Sequence, residues 1–224
     1  MLCKSWLLDT KKYFMSIGGR AMLVASAIAT LSAPAVHAGN LLQNGNFQTP
    51  APGIKPGTIV SYTSPSGGSG SEPQSAAADW LMFINDFGGN TMTTELVPST
   101  FPKAPAGTMM LHVRVSVQDS GLVNYTQQNH AGALFTCVWV YINRGAVGVG
   151  SGLEAYTEPN LILDRQGAWE FLDVSNQGTG GYGITNTTVI YAEPSRFDAH
   201  PAPVTDFFVQ MATLNAFQGE CKPF

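Results

Sequence analysis

Charge is scarce in this sequence: Asp, Glu, Lys and Arg together make up 12% of its 224 residues. Without a basic stripe the chain lacks the electrostatic footprint that nucleic acid or an anionic membrane surface attracts, so neither is expected as a partner. Helical periodicity with end caps is missing after residue 38, apart from a short turn suggested at residues 75–78. Catalytic spacing is missing too. The histidines His112, His130 and His200 form no HExxH or other zinc-ligand pattern, and no G-x-S-x-G elbow occurs. Gly148-Val149-Gly150-Ser151-Gly152 follows a strand pattern but opens no helix, so it reads as a flexible hairpin turn and not a phosphate loop. Asp and Glu are scattered, and nothing singles out two of them as a glycosidase pair. These absences point away from an enzyme.

Long apolar runs are confined to the N-terminus. A basic stretch ending at Arg20, an apolar run over residues 21–33 and the small-residue close Val36-His37-Ala38 read as an export signal cut after Ala38. Residues 1–38 are therefore expected to be removed, with Met15 as an alternative start, and residues 39–224 to form one domain. The run is short for a bilayer span, and no later segment replaces it, so the mature form is expected to lack a membrane span and to be secreted or otherwise extracytoplasmic. The signal carries Lys4, Lys11, Lys12 and Arg20 against Asp9, about +3, which leaves about −7 of the net −4 for the rest. Processing also leaves only Cys137 and Cys221. Outside the cytoplasm such a pair points to a disulfide tying the C-terminal tail to the sheet; two independent thiols are the alternative.

What the sequence does have is glycine (24), proline (14) and alternation. In residues 109–118, Met109, Leu111, Val113, Val115 and Val117 point one way and Met110, His112, Arg114, Ser116 and Gln118 the other. In residues 133–142, an aliphatic face of Leu134, Thr136, Val138, Val140 and Ile142 opposes an aromatic face of Phe135, Cys137, Trp139 and Tyr141, before a turn at Asn143-Arg144-Gly145. Further strands are expected at 58–62, 95–97, 146–149, 169–174, 187–192 and 206–214. Short strands between Gly- and Pro-rich loops predict an all-β, antiparallel β-sandwich of jelly-roll type.

The mature N-terminus, Asn40-Leu41-Leu42-Gln43-Asn44-Gly45-Asn46-Phe47-Gln48, resembles the opening strand of jelly-roll carbohydrate-binding modules of the xylan- and glucan-binding type, within the galactose-binding-like superfamily. Asp206-Phe207-Phe208-Val209-Gln210-Met211-Ala212-Thr213-Leu214 resembles their last strand, and Asp79-Trp80 and the two central strands fall between in the expected order. The resemblance implies a galactose-binding-like sandwich whose first and last strands lie side by side, a buried Trp80, and a glycan partner. It also implies a structural calcium near the ends of those strands. There this sequence has neutral Gln48 and Gln210, and an amide is a poorer calcium ligand than a carboxylate. No cofactor is expected.

Sugars are held by aromatic rings on their C–H faces and by planar polar groups at their hydroxyls. The candidate ligand-binding residues are Trp139 and Tyr141 beside Phe135, with His112, Arg114 and Gln118 from the neighbouring strand; a covering loop that makes the rings secondary core is the competing reading. Tyr125, Gln127 and Asn129 form a second alternating set in an amide-rich loop, and Tyr182 is a further stacking candidate. Trp80, Trp169 and Phe171 read as packing residues. The expected function is a secreted, non-catalytic carbohydrate-binding protein. The alternatives are a structural or adhesive cell-envelope protein and a small jelly-roll glycan hydrolase or lyase. Oligomeric state is left open.

Overall fold

The computed structural model describes residues 40–66, 71–84, 88–116, 120–125, 134–151, 161–163, 165–176, 187–192 and 204–215. The export signal, Gln118, Gln127, Asn129, Tyr182 and Cys221 lie outside the described residues.

Eleven strands are present among them: β1 (Val60–Thr63), β2 (Leu81–Ile84), β3 (Thr91–Pro98), β4 (Met109–Val115), β5 (Ser120–Tyr125), β6 (Leu134–Arg144), β7 (Val147–Ser151), β8 (Leu161–Leu163), β9 (Trp169–Asn176), β10 (Thr187–Ala192) and β11 (Thr205–Asn215). They pair antiparallel into a six-stranded sheet, β1-β3-β4-β11-β6-β9, and a five-stranded sheet, β2-β5-β10-β7-β8. The protein is thus an all-β sandwich of two antiparallel sheets, and the described residues belong to one compact unit, His37–Phe224.

Alternation explains the layering. From the six-stranded sheet, Met92, Leu96, Leu111, Val113, Val115, Val138, Val140, Ile142, Phe207 and Val209 turn inward. They meet Met82, Ile84, Leu122, Val147, Val149 and Ile190 of the other sheet in one apolar core. Burying each such side chain contributes about 1.5–3 kcal/mol. Trp80 closes one end of this core with no exposed surface, stacked on Phe47 at 5.0 Å, its Nε1 donating to Asn44 O at 3.1 Å. The expected burial of Trp80 is observed. A smaller cluster of Phe83, Val123 and Val189 lies on the opposite side of the five-stranded sheet.

Three expectations need correction. Residues 40–48 do not form a regular strand; Asn44 (φ 48°) and Phe47 (φ 57°) take left-handed conformations and fold the segment into turns. It nevertheless lies beside the last strand as expected, with Ala212 N donating to Gly45 O at 2.8 Å. Of the segment Gly148–Gly152, the described residues 148–151 are not a hairpin turn, and Gly152 lies outside the described residues. Residues 148–151 belong to β7, where Val147 and Val149 bury their side chains and Gly148 pairs with Tyr191. Finally, β4 and β6 are not neighbours, because β11 runs between them and pairs with both.

Candidate functional site

That intervening strand decides what the outward face of the six-stranded sheet contains. Backbone register sets Glu95 of β3 opposite His112 of β4, His112 opposite Phe208 of β11, Phe208 opposite Tyr141 of β6, and Tyr141 opposite Trp169 of β9. Outward side chains at such paired positions touch. His112 stacks on Phe208 with ring centroids 4.3 Å apart and 21° between planes. Phe208 meets Tyr141 edge-on at 6.2 Å, and Tyr141 meets Trp169 at 5.6 Å. Four rings from four adjacent strands make a continuous band, and all four are half-buried, so each keeps some surface for a ligand.

One step along the strands the face becomes polar. Asp206 accepts at Oδ1 from Asn143 Nδ2 at 2.8 Å, with His112 Nε2 2.9 Å from the same oxygen, while Arg114 Nε lies 3.2 Å from Oδ2. Both carboxylate oxygens are therefore engaged, and Asp206 acts as a bracket that orients a histidine, an amide and a guanidinium toward solvent. The Arg114 side chain is 58% exposed against 19% for Asp206, so the guanidinium is held at Nε while much of the side chain stays open to solvent.

One step in the other direction the face is covered. Trp139 lies between Phe171 at 5.2 Å and Phe101 at 4.6 Å, and Phe101 also abuts Trp169 at 5.2 Å. Phe101 belongs to the loop over residues 99–108, whose Ser99 Oγ donates to Gln210 Oε1. The two readings of the aromatic stripe thus divide along β6. Trp139 is roofed by a loop, whereas Tyr141 stands in the open band.

His112, Arg114, Trp139 and Tyr141 share one face, although the two strands that carry them do not pair as expected. Phe135 sits further along β6, its backbone paired with Ser175 and Asn215. Tyr125 is not part of this face. It ends β5 in the five-stranded sheet, 43% exposed, with its hydroxyl donating to Glu72 Oε2 at 2.6 Å. Its neighbour Asn124 is buried and structural, donating to Gln43 O at 2.9 Å. Trp169 and Phe171, expected as plain packing residues, stand on the outward face beside Tyr141 and Trp139.

The positions where the resemblance would put calcium ligands are occupied by amides bound to protein. Gln48 donates to Asn46 O at 2.8 Å and accepts from Met109 N at 3.3 Å. Gln210 is fully buried under Ser99. Cys137 is buried on β6, at a backbone position paired with Asp173 and Thr213.

No protein-family model matches the chain, and no curated protein is similar to it in sequence. In fold it is similar to solved carbohydrate-binding modules. One solved structure comprises the CBM22-1 and GH10 modules of a Clostridium thermocellum endo-1,4-β-D-xylanase complexed with xylohexaose: 15% identity, over 62% of this chain and 26% of that one, TM-score 0.42. A xylan-binding domain of family CBM22 is 14% identical over 69% of this chain and 93% of that one, TM-score 0.40. The family 11 module of a Clostridium thermocellum cellulosomal cellulase is 12% identical over 69% and 97%, TM-score 0.42. This chain spans about a quarter of the first of these and nearly all of the other two. No residue role is carried over from them.

Proposed function

We propose that this protein is exported and binds glycan chains, without catalysis, across the open face of its six-stranded sheet. The observation that carries the reading is the unbroken band His112–Phe208–Tyr141–Trp169 flanked by the Asp206 bracket. Adjacent strands lie about 4.8 Å apart, so a band over four strands extends about 15 Å, the length of a short oligosaccharide laid across the strands. Rings offer stacking surface for sugar C–H faces, while Arg114, His112 and Asn143 offer planar donors for hydroxyls. Asp206, with both oxygens engaged by neighbouring side chains, is placed to hold these groups in position.

Native gel electrophoresis with soluble xylan, mixed-linkage β-glucan or β-1,4-galactan in the matrix tests the reading on protein starting at Gly39. At least one polymer is expected to retard it. Tyr141→Ala and Trp169→Ala should each weaken retardation about tenfold, equivalent to ~1.4 kcal/mol, with cooperative melting retained. Stacking is barely screened, so raising salt from about 0.05 to about 0.5 M should leave retention in place. Loss of the melting transition in both variants would assign the rings to the core instead. Absence of retardation together with self-association would move the protein to the adhesive class, and new reducing ends would make it an enzyme.

A further inference from the structure

The roofed part of the outward face has features that a finished hydrophobic core lacks. Phe101 is the deepest anchor of the loop over residues 99–108: it is 7% exposed, whereas Pro102, Lys103, Pro105, Ala106 and Gly107 are exposed. The loop holds itself by short turns, Ala104 N to Phe101 O at 3.0 Å and Thr108 N to Pro105 O at 3.1 Å, and is fastened to the sheet by Ser99 Oγ on Gln210 Oε1. Beneath it lie two buried donors with no acceptor, Trp139 Nε1 and Gln210 Nε2, the latter on a side chain with no exposed surface. The two residues are directly paired across β6 and β11. Buried donors are rarely left unpaired, because the lost hydration is not recovered.

We infer that the 99–108 loop is a displaceable plug over a latent sugar subsite. The Phe101 ring occupies the seat on Trp139 and Trp169 that a pyranose ring takes when the loop lifts, and Trp139 Nε1 and Gln210 Nε2 are the donors that then meet its hydroxyl oxygens. The inference rests on the glycan reading above and extends it. A second aromatic row lies beside the open one, and Trp169 belongs to both. Binding there is weakened by the fraction of molecules in which the plug is seated, so removing the plug raises the apparent affinity without adding any contact.

The test uses the same xylan, β-glucan and galactan gels. Phe101→Ala is expected to lower the apparent Kd about tenfold for a polymer that retards the wild type. Ser99→Ala, which removes one of the loop's ties to the sheet and keeps the ring, should shift it in the same direction by less. Adding Trp139→Ala to Phe101→Ala should cancel the gain. If Phe101→Ala and Ser99→Ala are retarded as the wild type is, while Tyr141→Ala is not, the latent subsite is wrong and the glycan reading stands. If Phe101→Ala loses its cooperative melting and Ser99→Ala binds as the wild type, Phe101 is core and the plug is overturned. If no polymer retards any of these proteins, both readings fall together.

Discussion

Gly45 has no room for a side chain. A Cβ built on it would run into Ala212 O and come within 2.7 Å of Asn40 Nδ2, at the place where the opening segment leans on β11. Gly145, at φ +82°, is crowded as well, its hypothetical Cβ 2.5 Å from Thr205 Oγ1. Gly53 shares the left-handed φ, at +79°, but faces open space. Three alanine substitutions should therefore rank by mechanism. Gly53→Ala carries only backbone strain, about 1 kcal/mol. Gly45→Ala has no such strain and carries overpacking instead, about 1–3 kcal/mol, straining the 2.8 Å bond from Ala212 N. Gly145→Ala combines both penalties and should be the most damaging. Urea midpoints at unchanged slope measure the order, and a Gly45→Ala protein as stable as the wild type would show that the segment does not press on the strand.

At the scale of elements, β11 is the strand on which the site depends. Its outward residues Asp206, Phe208 and Gln210 join the polar end, the aromatic band and the plug, and none of them was legible as a sugar-binding residue; Gln210 entered only as a calcium-ligand position. In Phe207-Phe208 the inward and outward positions carry the same side chain, so alternation does not separate core from ligand face. Strand adjacency, moreover, is a property of the sheet order and not of the chain. Within single strands the pattern was readable, and Met110, His112 and Arg114 do oppose Leu111, Val113 and Val115. It failed where both faces are buried, as in Ser120–Tyr125, which shows no alternation to read. It failed again at residues 40–48, where Asn44 and Phe47 leave the extended region. The bracket makes a prediction of its own. Asp206→Asn puts an amide donor or a neutral oxygen against Arg114 Nε, so glycan retention should drop as strongly as in Tyr141→Ala. Stability should fall by no more than about 1 kcal/mol, because the Arg114 side chain is largely solvated. A stable variant with unchanged retention would remove the bracket from the site.

For the whole molecule, the opening segment is tied to both sheets. Asn40 Nδ2 donates to Ala212 O at 3.2 Å on the six-stranded sheet, and Gln43 O accepts from Asn124 Nδ2 at 2.9 Å on the five-stranded one. The opposite end of the chain has the cysteine expected to perform the same service. A Cys137–Cys221 bridge would anchor the tail to β6, one strand in from the β9 edge of the six-stranded sheet, and would close a loop of about 85 residues, worth about 4–5 kcal/mol in the chain-entropy account. Peptide mapping of protein exported to an oxidising compartment should find the two cysteines in one linked peptide that separates on reduction. Reduction should then lower the melting temperature by about 8–20 °C, since about 1 kcal/mol shifts a domain of this size by about 2–4 °C. Cys137→Ala and Cys221→Ala should be no more destabilising together than either is alone, because each removes the same link. Free thiols in the exported protein, or losses that add, would mean that Cys137 is simply a buried apolar residue and that the tail is held by other contacts.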